Sequence, residues 1–317
     1  MRRPSSGARA ATRRAFLERA ARIFEVTQRE AEELVSGEPK SSVRFNRLRA
    51  EPAQTLARLR DAGCRLDPVP WCPDAHHLLS DKATVVASEE FRTGGLYLQK
   101  ASSLLPPLAL SPQPGQAVLD VAAAPGGKAA HIAAATGNGI DLWLNDPIAP
   151  RARKLVTMMQ TYGVRYTHLT QHPGQYIDKN IEASFDSILV DAQCSGEGML
   201  DLSHPGALRY WSLPRVNKYR RLQQRILVAS FKLLRPGGVL VYSTCTFGPE
   251  ENEHPVDHLL RHRRDVDVLP IEVDIVGRRP ALRSWEGHRF DQRLAEAVRI
   301  VPSEHHEGFF VCKLTKT

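Results

Sequence analysis

From residue 97 onward the chain alternates short β-like runs with helical stretches, and this alternation limits its fold more than any other feature. The runs are AVLDVA (117–122), IDLWLN (140–145), YTHLT (166–170), SILVDA (187–192) and GVLVYST (238–244), and helical stretches lie near 126–135, 150–161 and 215–234. Strands joined by helical crossovers line up as a mostly parallel sheet with helices on both faces. A last run, GFFVCKLT (308–315), suits an edge position. The expected fold class is α/β, a Rossmann-like sheet preceded by a small α+β domain.

That first domain is read over residues 1–94, with the sheet domain over 95–317. Phe16, Leu17, Ala20, Ile23 and Phe24 fall on one face of a helix over 11–25. Thr27 with Glu30 forms a capping box, and Gly37 stops the helix that it starts. SSVRFNRL (41–48) reads as a strand and EPAQTLARLRDAG (51–63) as a helix closed by glycine. Residues 1–50 hold 12 basic against 6 acidic groups, so most of the net charge of +8 sits there. The segment suits either a phosphate-seeking RNA arm or a solubilising tail, and MRRPSSGARAATRR also has the Arg/Ser-rich look of a transit peptide. No hydrophobic signal core follows it, and no apolar run approaches the roughly 18 residues of a membrane helix. The five cysteines are odd in number and form no CxxC pair, which points to a reducing compartment. The expectation is a cytoplasmic protein and a monomer. Twelve histidines show no metal-ligand spacing, so no metal is expected.

Chemistry concentrates in three segments. VLDVAAAPGGKAAHIAA (118–134) ends a buried strand at Asp120, turns on Ala122, Ala123, Ala124 and Pro125, and opens a helix at Gly126-Gly127. Glycines here are expected to let a nucleotide-like ligand approach the backbone. Asp146 ends the next strand about 20 residues on, where an acid accepts ribose hydroxyls. Neither the P-loop spacing nor the full dinucleotide spacing is present, so a cofactor without a pyrophosphate fits better, with S-adenosylmethionine the leading candidate. FDSILVDAQCSGEGML (185–200) brings Asp191 and Cys194 to the carboxyl edge of the sheet, and YSTCTFGPEENE (242–253) brings Cys245 there. Two cysteines at strand ends bordering one crevice point to thiol chemistry, with Asp191 beside them as an acid.

Taken in order, AAAPGGK, LNDP, DAQCSGEG and YSTCTFGPEENE resemble the cofactor, ribose and two cysteine motifs of the NOL1/NOP2/Sun family of RNA cytosine-5 methyltransferases. SVRFNRL, VPWCPDA, LYLQKASSLLPPLAL and EGFFVCKL are similar to other recurrent segments of that family, so the resemblance runs from about residue 40 to the end. It is strongest to the bacterial branch acting on 16S rRNA, whose members commonly carry a further C-terminal RNA-binding domain, expected to be lacking here. The resemblance implies a structured RNA partner, rRNA or tRNA, and S-adenosylmethionine as cofactor. It implies Cys245 as the nucleophile that attacks cytosine C6, Asp191 as the group that binds the base at N3 and N4, Cys194 as an aid to release, and Lys128 beside the base. The cofactor would lie against Ala122, Ala123, Ala124, Pro125, Gly126, Gly127, Lys128, Asp146, Arg151 and Asp191. Arg44 and Asn46 match a family segment expected to face RNA.

Three positions depart from the family pattern. Gln193 stands where proline usually precedes the cysteine, Pro173 where an acid often contacts adenine, and Ala129 where a hydroxyl residue is common. LRYWSLPRVNKYRRLQQR (208–225) interleaves aromatic and basic residues, which suits either an RNA contact or a solvated helix face.

Overall fold

The computed structural model describes residues 6–317. Helix α1 (Ser6–Phe24) and helix α2 (Gln28–Leu34) form as their patterns predict, and the Thr27–Glu30 capping box starts the second. Then β1 (Ser42–Phe45), α3 (Pro52–Asp61), β2 (Leu66–Pro68), β3 (Ala75–Leu78), α4 (Lys82–Ala87), α5 (Glu89–Arg92) and β4 (Leu96–Gln99) build a four-stranded antiparallel sheet in the order β2-β3-β1-β4. Its own small core comprises Val43, Phe45, Leu59, Leu66, Leu78, Val85 and Leu96.

The packing does not follow the division at residues 94/95. β4 lies beyond that boundary yet closes the first sheet. Conversely, the apolar stripe of α1 packs into the core of the larger sheet. The Phe16 ring lies 5.1 Å from Trp211 and 5.8 Å from Phe247, and Phe24 lies 4.9 Å from Phe247. A helical stripe signals that it needs cover but not which surface supplies it.

The larger sheet starts with five parallel strands, β5 (Ala117–Asp120), β6 (Asp141–Asn145), β7 (His168–Thr170), β8 (Phe185–Asp191) and β9 (Leu234–Thr244), in the order β9-β8-β5-β6-β7. Helices α6 (Leu105–Leu110), α7 (Gly127–Ala135), α8 (Ala149–Tyr162), α9 (Leu213–Lys232) and α10 (Glu253–His262) cover its two faces. Alternate strand residues divide between them. Ile188, Val190, Leu240 and Tyr242 pack with α1, α9 and α10, whereas Leu189 and Val241 pack with α6, α7 and α8.

The chain continues through β10 (Val266–Leu269), β11 (Arg278–Pro280), the ribbon β12 (Ser284–Trp285) and β13 (His288–Arg289), and β14 (Val298–Ile300) to β15 (Phe309–Lys316). β15 was expected at an edge but is interior. It pairs with β9 on one side and with β14 and β10 on the other. Burial on both faces and both flanks explains its unbroken apolar run, since Phe309, Phe310, Val311, Cys312 and Leu314 are all buried.

The strand order places the site. From β5 the chain adds β6 and β7 on one side, then crosses to β8 on the other. The carboxyl ends of β5 and β8 therefore flank the point where the winding reverses, where ligands enter sheets of this kind.

Candidate active site

On the β5/β6 flank, Asp146 follows β6 directly and is fully buried. Its Oδ1 accepts from the Ile148 amide at 3.0 Å. Its Oδ2 has no hydrogen-bond donor, although the Arg151 guanidinium stands 3.4 Å away. A buried carboxylate oxygen left unmatched costs free energy, so this atom calls for a donor such as a ribose hydroxyl. Arg151 also donates to the Ala124 carbonyl at 2.5 Å, tying the start of α8 to the Ala122–Pro125 turn. Asn145 pins the same turn from below, donating to the carbonyls of Val121 and His172. These residues fit a nucleoside cofactor.

The glycines of the turn also have a reason within the protein itself. Gly126 has φ +118, and a β-carbon there would lie 2.7 Å from Met159 Cε and 2.9 Å from Leu155 Cδ1 of α8. A β-carbon on Gly127 would lie 2.6 Å from the Tyr97 ring. What crowds them is the protein itself, α8 and β4, so these glycines serve the packing of the turn.

On the β8/β9 flank, Asp191 ends β8 and both its oxygens are engaged. Lys128 Nζ donates to Oδ2 at 2.7 Å and Ser243 Oγ to Oδ1 at 2.8 Å. Burial alone would lower the Lys128 pKa, but the charge and hydrogen bond of Asp191 outweigh it, and the net shift is upward. Lys128 therefore stays an ammonium group, one that also feels the Cys245 sulfur. Beneath them Asp120 is pushed up to about 7 by burial and by the charge of Asp191.

Cys245 follows β9 and Cys194 follows β8, with their sulfurs 3.2 Å apart. The Cys194 pKa is driven well above the usual thiol value, first by its hydrogen bond to Cys245 and then by burial. Cys194 thus keeps its proton within hydrogen-bond reach of the Cys245 sulfur.

Several supports were not anticipated from the sequence. Gln223 of α9 is fully buried and donates from Nε2 to the Gln193 carbonyl at 2.8 Å and to Glu251 Oε2 at 3.0 Å. The same Glu251 oxygen accepts from the Ser195 amide at 2.9 Å. The backbone on both sides of Cys194 is therefore held by one glutamine–glutamate pair. Glu197 accepts from Trp211 at 2.7 Å and from Thr246 at 2.8 Å, while Arg19 of α1 bonds Glu250 at 2.6 Å. The acids of GPEENE follow Cys245 in sequence. Here Glu251 and Glu253 are fully buried and Glu250 nearly so, a fact only the burial pattern reveals.

Arg44 and Asn46 correct an expectation. Each is 1% exposed. Arg44 donates to the Gly127 carbonyl at 3.3 Å, and burial lowers its pKa to about 10. Asn46 donates to the carbonyls of Gly94 and Tyr162 at 2.7 and 2.9 Å. Both bond one sheet to the other instead of facing RNA. A polar pair on a short strand looks outward in sequence, and only the docking of the two sheets turns it inward.

A Rossmann-like sheet whose switch point holds an acid suited to ribose on one flank and a thiol pair on the other is the plan of an S-adenosylmethionine-dependent methyltransferase. The chain belongs to the family described as 16S rRNA methyltransferase RsmB/F, whose model matches residues 107–315. A tRNA (cytosine(49)-C(5))-methyltransferase of Pyrococcus abyssi is 34% identical over 279 residues, covering 87% of this chain and 88% of the relative. The ribosomal RNA small subunit methyltransferase F of Klebsiella pneumoniae is 36% identical over 286 residues, which cover 88% of this chain but 57% of that protein's length. A solved methyltransferase homolog from Pyrococcus horikoshii superposes with a TM-score of 0.80 at 30% identity, covering 96% of this chain and 99% of the other.

Proposed function

We propose that this protein methylates C5 of a cytosine in structured RNA, with ribosomal RNA as the expected substrate class. The observation that carries the reading is the meeting of Cys194, Cys245, Asp191 and Lys128 at one sheet edge. Cytosine C5 is a weak nucleophile, so the ring must first gain electron density. The Cys245 thiolate supplies it by bonding to C6, and the displaced electron pair moves toward N3. Asp191 binds the base at its N3 and N4 edge, and the Lys128 ammonium, held on Asp191, offsets the charge that develops there. S-adenosylmethionine, when bound against Ala122–Lys128, Asp146 and Arg151, supplies an electrophilic methyl group. Loss of the C5 proton to solvent then expels Cys245, and the Cys194 thiol stabilises the departing thiolate through its hydrogen bond.

Every residue in this scheme comes from one chain, so the reading needs no second subunit. No helix among the described residues is long and apolar enough to cross a membrane. Five free thiols suit a reducing cytoplasm. A tRNA substrate is favoured by one observation, the nearly full-length match to the Pyrococcus abyssi relative.

A covalent trap tests the proposal. Cys194→Ala protein incubated with total RNA and S-adenosylmethionine should yield a denaturant-resistant protein–RNA adduct. The adduct should vanish when Cys245→Ala is added, and sequencing the trapped RNA separates rRNA from tRNA. Absence of an adduct, with cofactor binding verified by calorimetry, would replace this reading with that of an RNA-binding assembly factor.

A further inference from the structure

We infer that the outward face of α9, with the loop leading into it, is a track for the RNA phosphate backbone. The inference rests on the proposed function for the identity of the polymer. Helix α9 carries Arg215, Lys218, Arg220, Arg221, Arg225 and Lys232 and has no Asp or Glu. Arg215, Lys218, Arg221 and Arg225 follow at spacings that keep them within an arc of about 120° on a helix of 3.6 residues per turn. All four are exposed, while Gln223, Ile226 and Leu227 face inward.

The absence of acids distinguishes this stripe from the ion-paired stretches of the surface. Arg58, Arg235, Arg261 and Arg263 each have a carboxylate 2.5–2.7 Å away. Among the described residues none of the four stripe cations has one. Arg215 bonds the Tyr219 hydroxyl at 3.4 Å and Arg225 the Tyr176 hydroxyl at 2.6 Å. Cations left without carboxylates on a rigid helix are suited to phosphate, since each phosphate they neutralise releases a counterion.

Aromatic rings lie among them. Arg209 sits over Tyr210 at 5.2 Å, Arg215 over Tyr219 at 5.6 Å, and Arg225 over Tyr176 at 5.1 Å. Tyr210 is 65% exposed and Tyr176 41%, rings on which unpaired bases can stack. This mixture suits RNA better than an anionic lipid surface, which offers nothing for the rings to stack upon. The position also fits. The opposite face of α9 holds the Cys194 loop through Gln223, so the helix itself connects the track to the loop that carries the thiol. RNA lying along it has a base within reach of the crevice once that base is turned out of its stack.

The test compares Arg215→Gln/Lys218→Gln/Arg221→Gln/Arg225→Gln with the parent, using fluorescence anisotropy on a labelled small-subunit rRNA transcript between 50 and 200 mM salt. The slope of log affinity against log salt should fall by about 3, and RNA affinity at 50 mM salt by about 100-fold or more. Turnover at saturating RNA and cofactor affinity should stay within about twofold. The control, Arg58→Gln/Arg235→Gln/Arg261→Gln/Arg263→Gln, makes the same charge change and should leave the slope unaltered. An unaltered slope in the α9 variant, while the parent still forms its Cys245 adduct, would overturn the track alone. So would an equal loss in the control, which would reduce the effect to net charge. Binding of the parent to phosphatidylserine vesicles but not to RNA would overturn both the track and the proposed function.

Discussion

Gln193 occupies the position where the family usually places proline before its cysteine, and the loop there is held by hydrogen bonds. Gln223 takes the carbonyl before Cys194, Glu251 takes the amide after it, and the two side chains bond each other. Replacing Gln223 with alanine should remove one of the two donors to the buried Glu251 carboxyl, costing about 1–3 kcal/mol in urea unfolding. The loosened loop should lower kcat by about 10- to 100-fold. S-adenosylmethionine affinity should be unchanged, since Asp146 and the Ala122–Gly127 turn are untouched. Parent-like turnover would remove Gln223 from any positioning role. At this scale the residues that the structure gathers at one sheet edge were readable, because Cys194, Cys245, Asp191 and Lys128 lie in short segments at strand ends. Their supports were not, because Gln223 and Glu251 belong to separate elements and each looks like an ordinary surface residue.

Among the elements, α1 departs furthest from its expected role. The basic segment it belongs to suited either an RNA arm or a solubilising tail, yet Phe16 packs edge-on to Trp211 and Phe247, and Arg19 is bonded to Glu250. The helix is thereby part of the core of the larger sheet. Phe16→Ala should cost about 3–5 kcal/mol in urea unfolding, the range for emptying a large core site. Methylation should fall with the folded fraction. A change below about 0.5 kcal/mol would mean that the helix is a free arm after all. The helices and strands themselves followed their periodicities closely, and the capping box at Thr27 formed as read. The place of β15 did not follow, since neighbours along a sheet are set by which strands meet and not by the run of residues within one.

At the scale of the whole molecule, buried titratable groups pull stability in opposite directions with pH. Burial holds Asp120 and Glu251 near 7, above their ordinary 3.8 and 4.5. The folded protein binds these protons more tightly than the unfolded chain, so their stabilisation is complete below about pH 4 and is lost as pH rises through about 7. His77 and His306, packed where the first sheet meets the loop before β15, are lowered by burial from 6.5 to about 4. Their stabilisation is complete above about pH 6.5 and is lost as pH falls through about 4. Asp120→Asn should therefore gain on the parent as pH rises from about 4 to 7, and His306→Gln should gain as pH falls from about 6.5 to 4. Urea midpoints across this range check both, and profiles parallel to the parent's would contradict the assignment. Residue order alone was enough for the α/β class, the strand-end placement of the two thiols and the turn after β5, because periodicity and turn chemistry are local properties of a chain. The docking of α1, the inward turn of Arg44 and Asn46, the interior place of β15 and the burial of the GPEENE acids were settled only in three dimensions. Each depends on which surfaces far apart in sequence cover one another, and a side chain's charge or polarity does not record whether another element will close over it.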